Sequence, residues 1–187
     1  MFLRPCEVFG SGSSPRLARA APVSQRPAGP RPGVRLAVDV GSVRVGVARS
    51  DPGGVLATPL TVLPSGPRAQ AELARLAAAE GAIEVIVGLP TSLSGREFAA
   101  AAGAREFAAD LAAQLAPIPV RLVDERFTTA EAHDALRRGG KDARARRHVV
   151  DAAAAAVLLQ AALDAERSTG RPAGELVPDP APDGAGP

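Results

Sequence analysis

Five short apolar runs, separated first by turns and then by helical patterns, leave this chain few ways to fold. Val34–Val38 is a short, mainly apolar run, as a buried strand requires. Gly41-Ser42 turns the chain into Val43–Ala48, where Val43, Val45 and Val47 alternate as in a hairpin strand. Asp51-Pro52-Gly53-Gly54 is a strong turn signal, and Val55–Leu60 makes a third strand. The pattern then changes. Arg68–Ala79 carries Leu73 and Leu76 at helical spacing, and Ile83–Val87 is a β-branched strand closed by Gly88-Leu89-Pro90. Arg96–Leu115 is helical, with Phe107, Leu111 and Leu115 stacked at i+4, and Pro119–Val123 is a fifth strand. Thr128–Leu136 and Val149–Ala165 read as the last helices. Antiparallel hairpins followed by right-handed crossovers predict an α/β fold. Its sheet is five-stranded and mixed: the first three strands antiparallel, the fourth and fifth parallel to the first, with helices on both faces.

Three acids stand where that topology draws distant residues together. Asp39 closes the first strand, Glu125 closes the fifth, and Asp151 opens the last, alanine-rich helix. Groups at the carboxyl ends of neighbouring parallel strands share a crevice. Like charges held that close repel, so a cation or a proton must lie between them. A pair of Mg²⁺ or Mn²⁺ ions meets that need, and the chemistry it supports is phosphodiester cleavage. In such a scheme Asp39 bridges both ions, while Glu125 and Asp151 each help to hold one. Asp151 as a helix-terminal acid favoured by the dipole is the competing reading.

Charge distribution says more than net charge, which is only +2. Arg137, Arg138, Lys141, Arg144, Arg146 and Arg147 form a run with one acid, Asp142, just before Asp151. A basic loop beside an acidic crevice suits an anionic polymer, whose flanking phosphates it would hold. Arg44 and Thr128 are further phosphate-binding candidates; the competing roles are a solvated hairpin arginine and a helix cap. His148 reads as solvent-facing, and Asp51 as a turn residue. The chain has no Trp or Tyr and five Phe, which argues against a base-stacking platform. The single cysteine, Cys6, excludes an internal disulfide and fits a reducing compartment. No run reaches the roughly 18 apolar residues that cross a bilayer, and no secretory leader is expected. Residues 1–33, rich in Pro, Gly, Ser and Arg, read as a disordered basic tail, 34–168 as one domain, and 169–187 as a disordered, mildly acidic tail.

The ordered motifs resemble a known family. They are Asp39-Val40-Gly41-Ser42-Val43-Arg44-Val45-Gly46-Val47-Ala48, Ser50-Asp51-Pro52, Ala57-Thr58-Pro59, Val87-Gly88-Leu89-Pro90, Asp124-Glu125-Arg126-Phe127-Thr128-Thr129-Ala130 and Val150-Asp151-Ala152-Ala153-Ala154. Together they are similar to the YqgF/RuvX family, the pre-16S ribosomal RNA nucleases, also described as Holliday-junction-resolvase-like. The resemblance spans about residues 34 to 165. It implies an RNase H-like fold, a cytoplasmic protein, and maturation of the 5′ end of 16S rRNA, with Asp39, Glu125 and Asp151 as metal-site carboxylates. Rival expectations are cleavage of four-way DNA by a two-fold dimer, and a noncatalytic RNA-binding assembly factor. An actin-like ATPase shares the Asp39–Ser42 turn, but needs a second such domain. Whether the molecule is a monomer or a homodimer is left open by the sequence.

Overall fold

The computed structural model describes residues 30–90, 99–125 and 143–178, with side chains of the last stretch described from Val150 onward. Its elements run β1 (Val34–Val40), β2 (Arg44–Ser50), β3 (Ala57–Pro64), α1 (Pro67–Ala79), β4 (Ala82–Leu89), α2 (Ala99–Leu115), β5 (Val120–Asp124), α3 (Ala143–Thr169) and β6 (Glu175–Leu176). The sheet order is β3-β2-β1-β4-β5-β6. The first three strands are antiparallel, and β4 and β5 run parallel to β1, as the sequence pattern predicts.

β1 and β4 lie at the centre and are covered on both faces. Alternation therefore splits their side chains between two cores. Leu36, Val38, Val85 and Val87 face α1 and α2, whereas Ala37 and Ile86 face α3. On α1, Ala69, Leu73 and Ala77 form the buried i+4 stripe; Pro67 starts the helix, and Gly81, at φ +59°, follows its end. The buried line of α3 is Ala155, Leu158, Leu159, Ala162 and Leu163. Its small residues let the helix lie low across β1, β2 and β3, its main contacts.

The sheet has a sixth strand where five were expected. β6 pairs antiparallel with β5, Arg121 opposite Leu176 and Leu122 opposite Glu175, inside the stretch that reads as a tail. Gly170 and Gly174, at φ +70° and +78°, turn the chain back to make that return. Two paired residues carry no periodic signal, so the sequence pattern misses them. β3 runs further than expected, with Pro59 and Pro64 tolerated because it is an edge strand. The expected helix over 128–136 lies outside the described residues. α3 starts at Ala143, well before the expected 149, so the latter part of the basic run is helical.

At the amino-terminal ends of β1 and β4 sits a buried ionic cluster. Arg35 is fully buried, and its Nη2 donates to Glu166 Oε1 at 3.0 Å. Arg31 donates from Nη2 to Glu84 at 2.8 Å and from Nε to Glu166 at 2.9 Å. Arg121 closes on the other Glu84 oxygen at 2.9 Å. Burial pushes the Glu166 carboxyl up. The side-chain and backbone hydrogen bonds of Arg31, with the charges of Arg35 and Arg31, outweigh it and hold the group below its usual value. Arg31 is raised in turn, chiefly by its bond to Glu166. The cluster ties β1 and β4 to α3, and Arg121 also donates to Gly174 O just before β6.

Candidate functional site

Asp39 is the penultimate residue of β1 and shares the α3-facing side of the sheet with Ala37. The β1–β2 register sets it opposite Gly46. The β1–β4 register pairs Val38 with Val87, which brings Asp39 beside Gly88 at the next step. Glu125 follows directly on β5. Its carboxylate lies over Gly88: a Cβ built there would stand 3.1 Å from Glu125 Oε1. At this end of the sheet the fourth strand offers no acid of its own, and its glycine makes room for the acid that follows the fifth. Asp151 comes down from α3 onto Gly46, where an added Cβ would collide with the Asp151 carbonyl. A glycine on each neighbouring strand therefore clears the ground around Asp39, one for Glu125 and one for Asp151.

Asp151 lies well inside α3, which begins at Ala143, so it neither opens nor caps the helix, as the sequence reading had it. Its carboxylate is held by Arg44, the first residue of β2, with Nε 2.5 Å from Oδ2. The pair is partly open to solvent, the side chains being 29% and 28% exposed. Asp39 and Glu125 are also engaged by neighbours. Among the described residues, no three acidic, histidine or cysteine side chains converge closely enough to hold an ion. The donor set nevertheless fits a hard divalent cation in kind. It is all carboxylate oxygen, carried on one face by three rigid elements.

The other expected residues divide. Arg44 is at the site, but paired with Asp151. Arg144, Arg146 and Arg147 fall in the opening turns of α3 rather than in a loop, and their side chains are outside the described residues. Thr128 and Lys141 lie outside the described residues altogether. Arg121, on β5 before Glu125, pairs with Glu84 instead of with that acid. Asp51 is a turn residue: its carboxylate accepts from the backbone of Gly53, Val55 and Leu56. Those bonds, led by Leu56 and Val55, hold its carboxyl below the usual range.

Two things went unread in the sequence. Glu84 and Arg35 are embedded in apolar strands covered on both faces, and such charges persist only when paired. That embedding was the available signal for the ionic cluster. The Arg44–Asp151 pair joins residues 107 positions apart and has no local signature.

The family model described as RuvX, Holliday junction resolvase, matches residues 33–165. A protein of Nocardioides sp. named "Putative pre-16S rRNA nuclease" is 56% identical over 152 residues, covering 79% of this chain and 97% of that protein. A Thermobifida fusca protein of the same name is 56% identical over 154 residues, with the same coverage. One from Streptomyces coelicolor is 50% identical over 162 residues, covering 84% and 97%. Among solved structures, T. thermophilus RuvC in complex with a Holliday junction substrate aligns at 21% identity with a TM-score of 0.46, over 75% of this chain and 99% of that one.

Proposed function

The chain belongs to the RuvX family, described as Holliday junction resolvase, and on that premise we propose that it is a nuclease that hydrolyses phosphodiester bonds in precursor 16S rRNA during ribosome biogenesis. The fold of this reading is RNase H-like and its compartment the cytoplasm. Among the described residues, no helix is long and apolar enough to cross a membrane. The observation that carries the reading is that Asp39, Glu125 and Asp151 share the α3 side of the sheet, with Glu125 over Gly88 and the Asp151 main chain over Gly46. The substrate follows the names of relatives that are 50% to 56% identical along 97% of their own length.

Asp39, Glu125 and Asp151 would hold a divalent cation, Mg²⁺ or Mn²⁺, in a pair of sites as the acid count suggests. When bound, such a cation supplies an activated water and neutralises charge developing on the scissile phosphate. The chain's own part is to orient and to hold. Asp39 is paired in the β1–β2 ladder, which fixes its position, and Glu125 follows directly on the last paired residue of β5. Asp151 is fixed by the contact of α3 on Gly46. Arg44, Thr128, Lys141, Arg144, Arg146 and Arg147 would bind backbone phosphates on either side of the cut, which positions the polymer without reading its bases. The nuclease domain of this reading is 34–168, with Arg31 and the β6 strand packed onto it.

The test is cleavage of precursor 16S rRNA and of four-way DNA by the full chain. It is run with Mg²⁺, with Mn²⁺ and with chelator, beside Asp39→Asn and Asp151→Asn. Metal-dependent cutting of the RNA that both variants lose is expected. Cutting of the four-way DNA alone would move the substrate to branched DNA. Cutting that survives both substitutions would overturn the assignment of the site.

A further inference from the structure

Resting on that reading of the site, we propose that Arg44 is a displaceable counter-ion: it holds Asp151 in the unloaded protein and leaves for a nucleic-acid phosphate when a divalent cation takes the carboxylate. Three observations carry this. First, the Arg44 guanidinium and the Asp151 carboxylate are in direct contact, Nε to Oδ2 2.5 Å. A cation cannot use that oxygen fully while the guanidinium occupies it. Second, the two side chains are 29% and 28% exposed. The pair is therefore cheap to open, unlike the buried Arg35–Glu166 pair at 0% and 5%. Third, Asp151 does not need Arg44 to keep α3 in place. Its backbone rests directly on Gly46, and the ionic cluster at Glu166 anchors the same helix further along.

The exchange keeps each charged group partnered at each stage. Without ligands, one arginine neutralises one acid. With the cation on Asp151, the freed guanidinium faces a site that has gained positive charge, and a backbone phosphate is its natural new partner. Cation and polymer thereby favour one another: the cation releases the arginine that the phosphate needs, and a phosphate on that arginine leaves the carboxylate open. Linkage makes the coupling equal in both directions. An idle molecule has low cation occupancy, and a polymer raises it.

The measurement is Mn²⁺ binding to the full chain by calorimetry or electron paramagnetic resonance. It is made with and without an RNA oligonucleotide carrying phosphorothioate linkages that resist cleavage. Wild type is compared with Arg44→Ala, Arg44→Lys and Asp151→Asn, each first checked by thermal melting. Arg44→Ala is expected to bind Mn²⁺ about two- to five-fold more tightly without RNA, the worth of a partly exposed ion pair. RNA is expected to tighten Mn²⁺ binding in wild type about five-fold or more, and to do so far less in Arg44→Ala. Arg44→Lys should lie between the two. Weaker or unchanged Mn²⁺ binding in folded Arg44→Ala would overturn the proposal, since a purely positioning arginine gives that result. If Arg44→Ala does not fold, Arg44→Lys decides, because a looser pair must still shift Mn²⁺ affinity upward and weaken the RNA coupling. Asp151→Asn separates the two levels. Full Mn²⁺ binding there defeats the reading of the site, whereas lost binding there with no gain in the Arg44 variants defeats only the exchange.

Discussion

The central sheet carries charge at both ends of the same strands and treats it in opposite ways. At the amino-terminal end, Arg31, Arg35 and Arg121 close around Glu84 and Glu166, with both acids at most 5% exposed. At the carboxyl end, Asp39, Glu125 and Asp151 lie partly exposed over glycines, and the Arg44–Asp151 pair is open to solvent. The first arrangement satisfies every acid with more than one guanidinium. The second keeps its acids accessible. The charges that tie β1 and β4 to α3 are multiply paired with their acids enclosed, and the acids of the proposed site are left within reach of water.

This contrast can be broken by experiment. The largest expected effect is at the carboxyl end. Asp39→Asn should lower cleavage by about 1,000-fold, the few kcal/mol of transition-state stabilisation that a metal-site acid supports, while thermal melting stays close to wild type. A melting point that falls with activity would mean that both ends are structural. Next comes Glu166→Ala. It takes from the buried Arg35 its nearest carboxylate, leaving Glu84 at 3.7 Å, and should cost about 3 kcal/mol of stability in urea titration, with cleavage per folded molecule retained. If instead the variant is stable but inactive, the division between the two ends fails. Gly46→Ala is the intermediate case, because it pushes α3 off β2 at the site. A loss of about 1–3 kcal/mol is expected from the forced shift, together with weaker cleavage as Asp151 moves. Normal activity at reduced stability would show that Asp151 tolerates displacement.

The smallest effect is one of pH. The Glu166 carboxyl is held below its ordinary value in the folded protein, so protonation favours the unfolded chain. Its stabilising contribution is complete above the ordinary carboxyl value and is lost as pH falls through the lower, folded one. Urea titrations from pH 7 down to pH 3 should therefore show a fall in wild-type stability that Glu166→Gln lacks in part. Parallel curves would show that Glu166 is not the group responsible.

How much of this was legible in the sequence depended on range. The succession of elements and the direction of the strands followed from alternation, turn residues and the crossover rule, signals that lie within a few positions of one another. The candidate acids stand out because Asp39 and Glu125 close apolar runs, which is also a local pattern. What failed was non-local or too short. β6 is two residues long, and only Gly170 and Gly174 hinted at the return. Glu84 sits inside a β-branched run and was absorbed into it, although a charge there demands partners. The early start of α3 was hidden because arginine and alanine favour helix, yet a dense basic run reads as a solvated loop. Arg44 found its partner across the fold, where spacing gives no guidance.

The contact of α3 on Gly46 has one more consequence. Where side chains separate a helix from a sheet, they can re-pack and absorb a small displacement. Here main chain rests on main chain at the very position of Asp151, so nothing between them can yield. The height of that acid above the sheet acts as a fixed gauge, set by the bare peptide. A change anywhere along the helix that tilts it is transmitted undamped to the carboxylate, while changes on its outer face that leave the tilt alone are not felt.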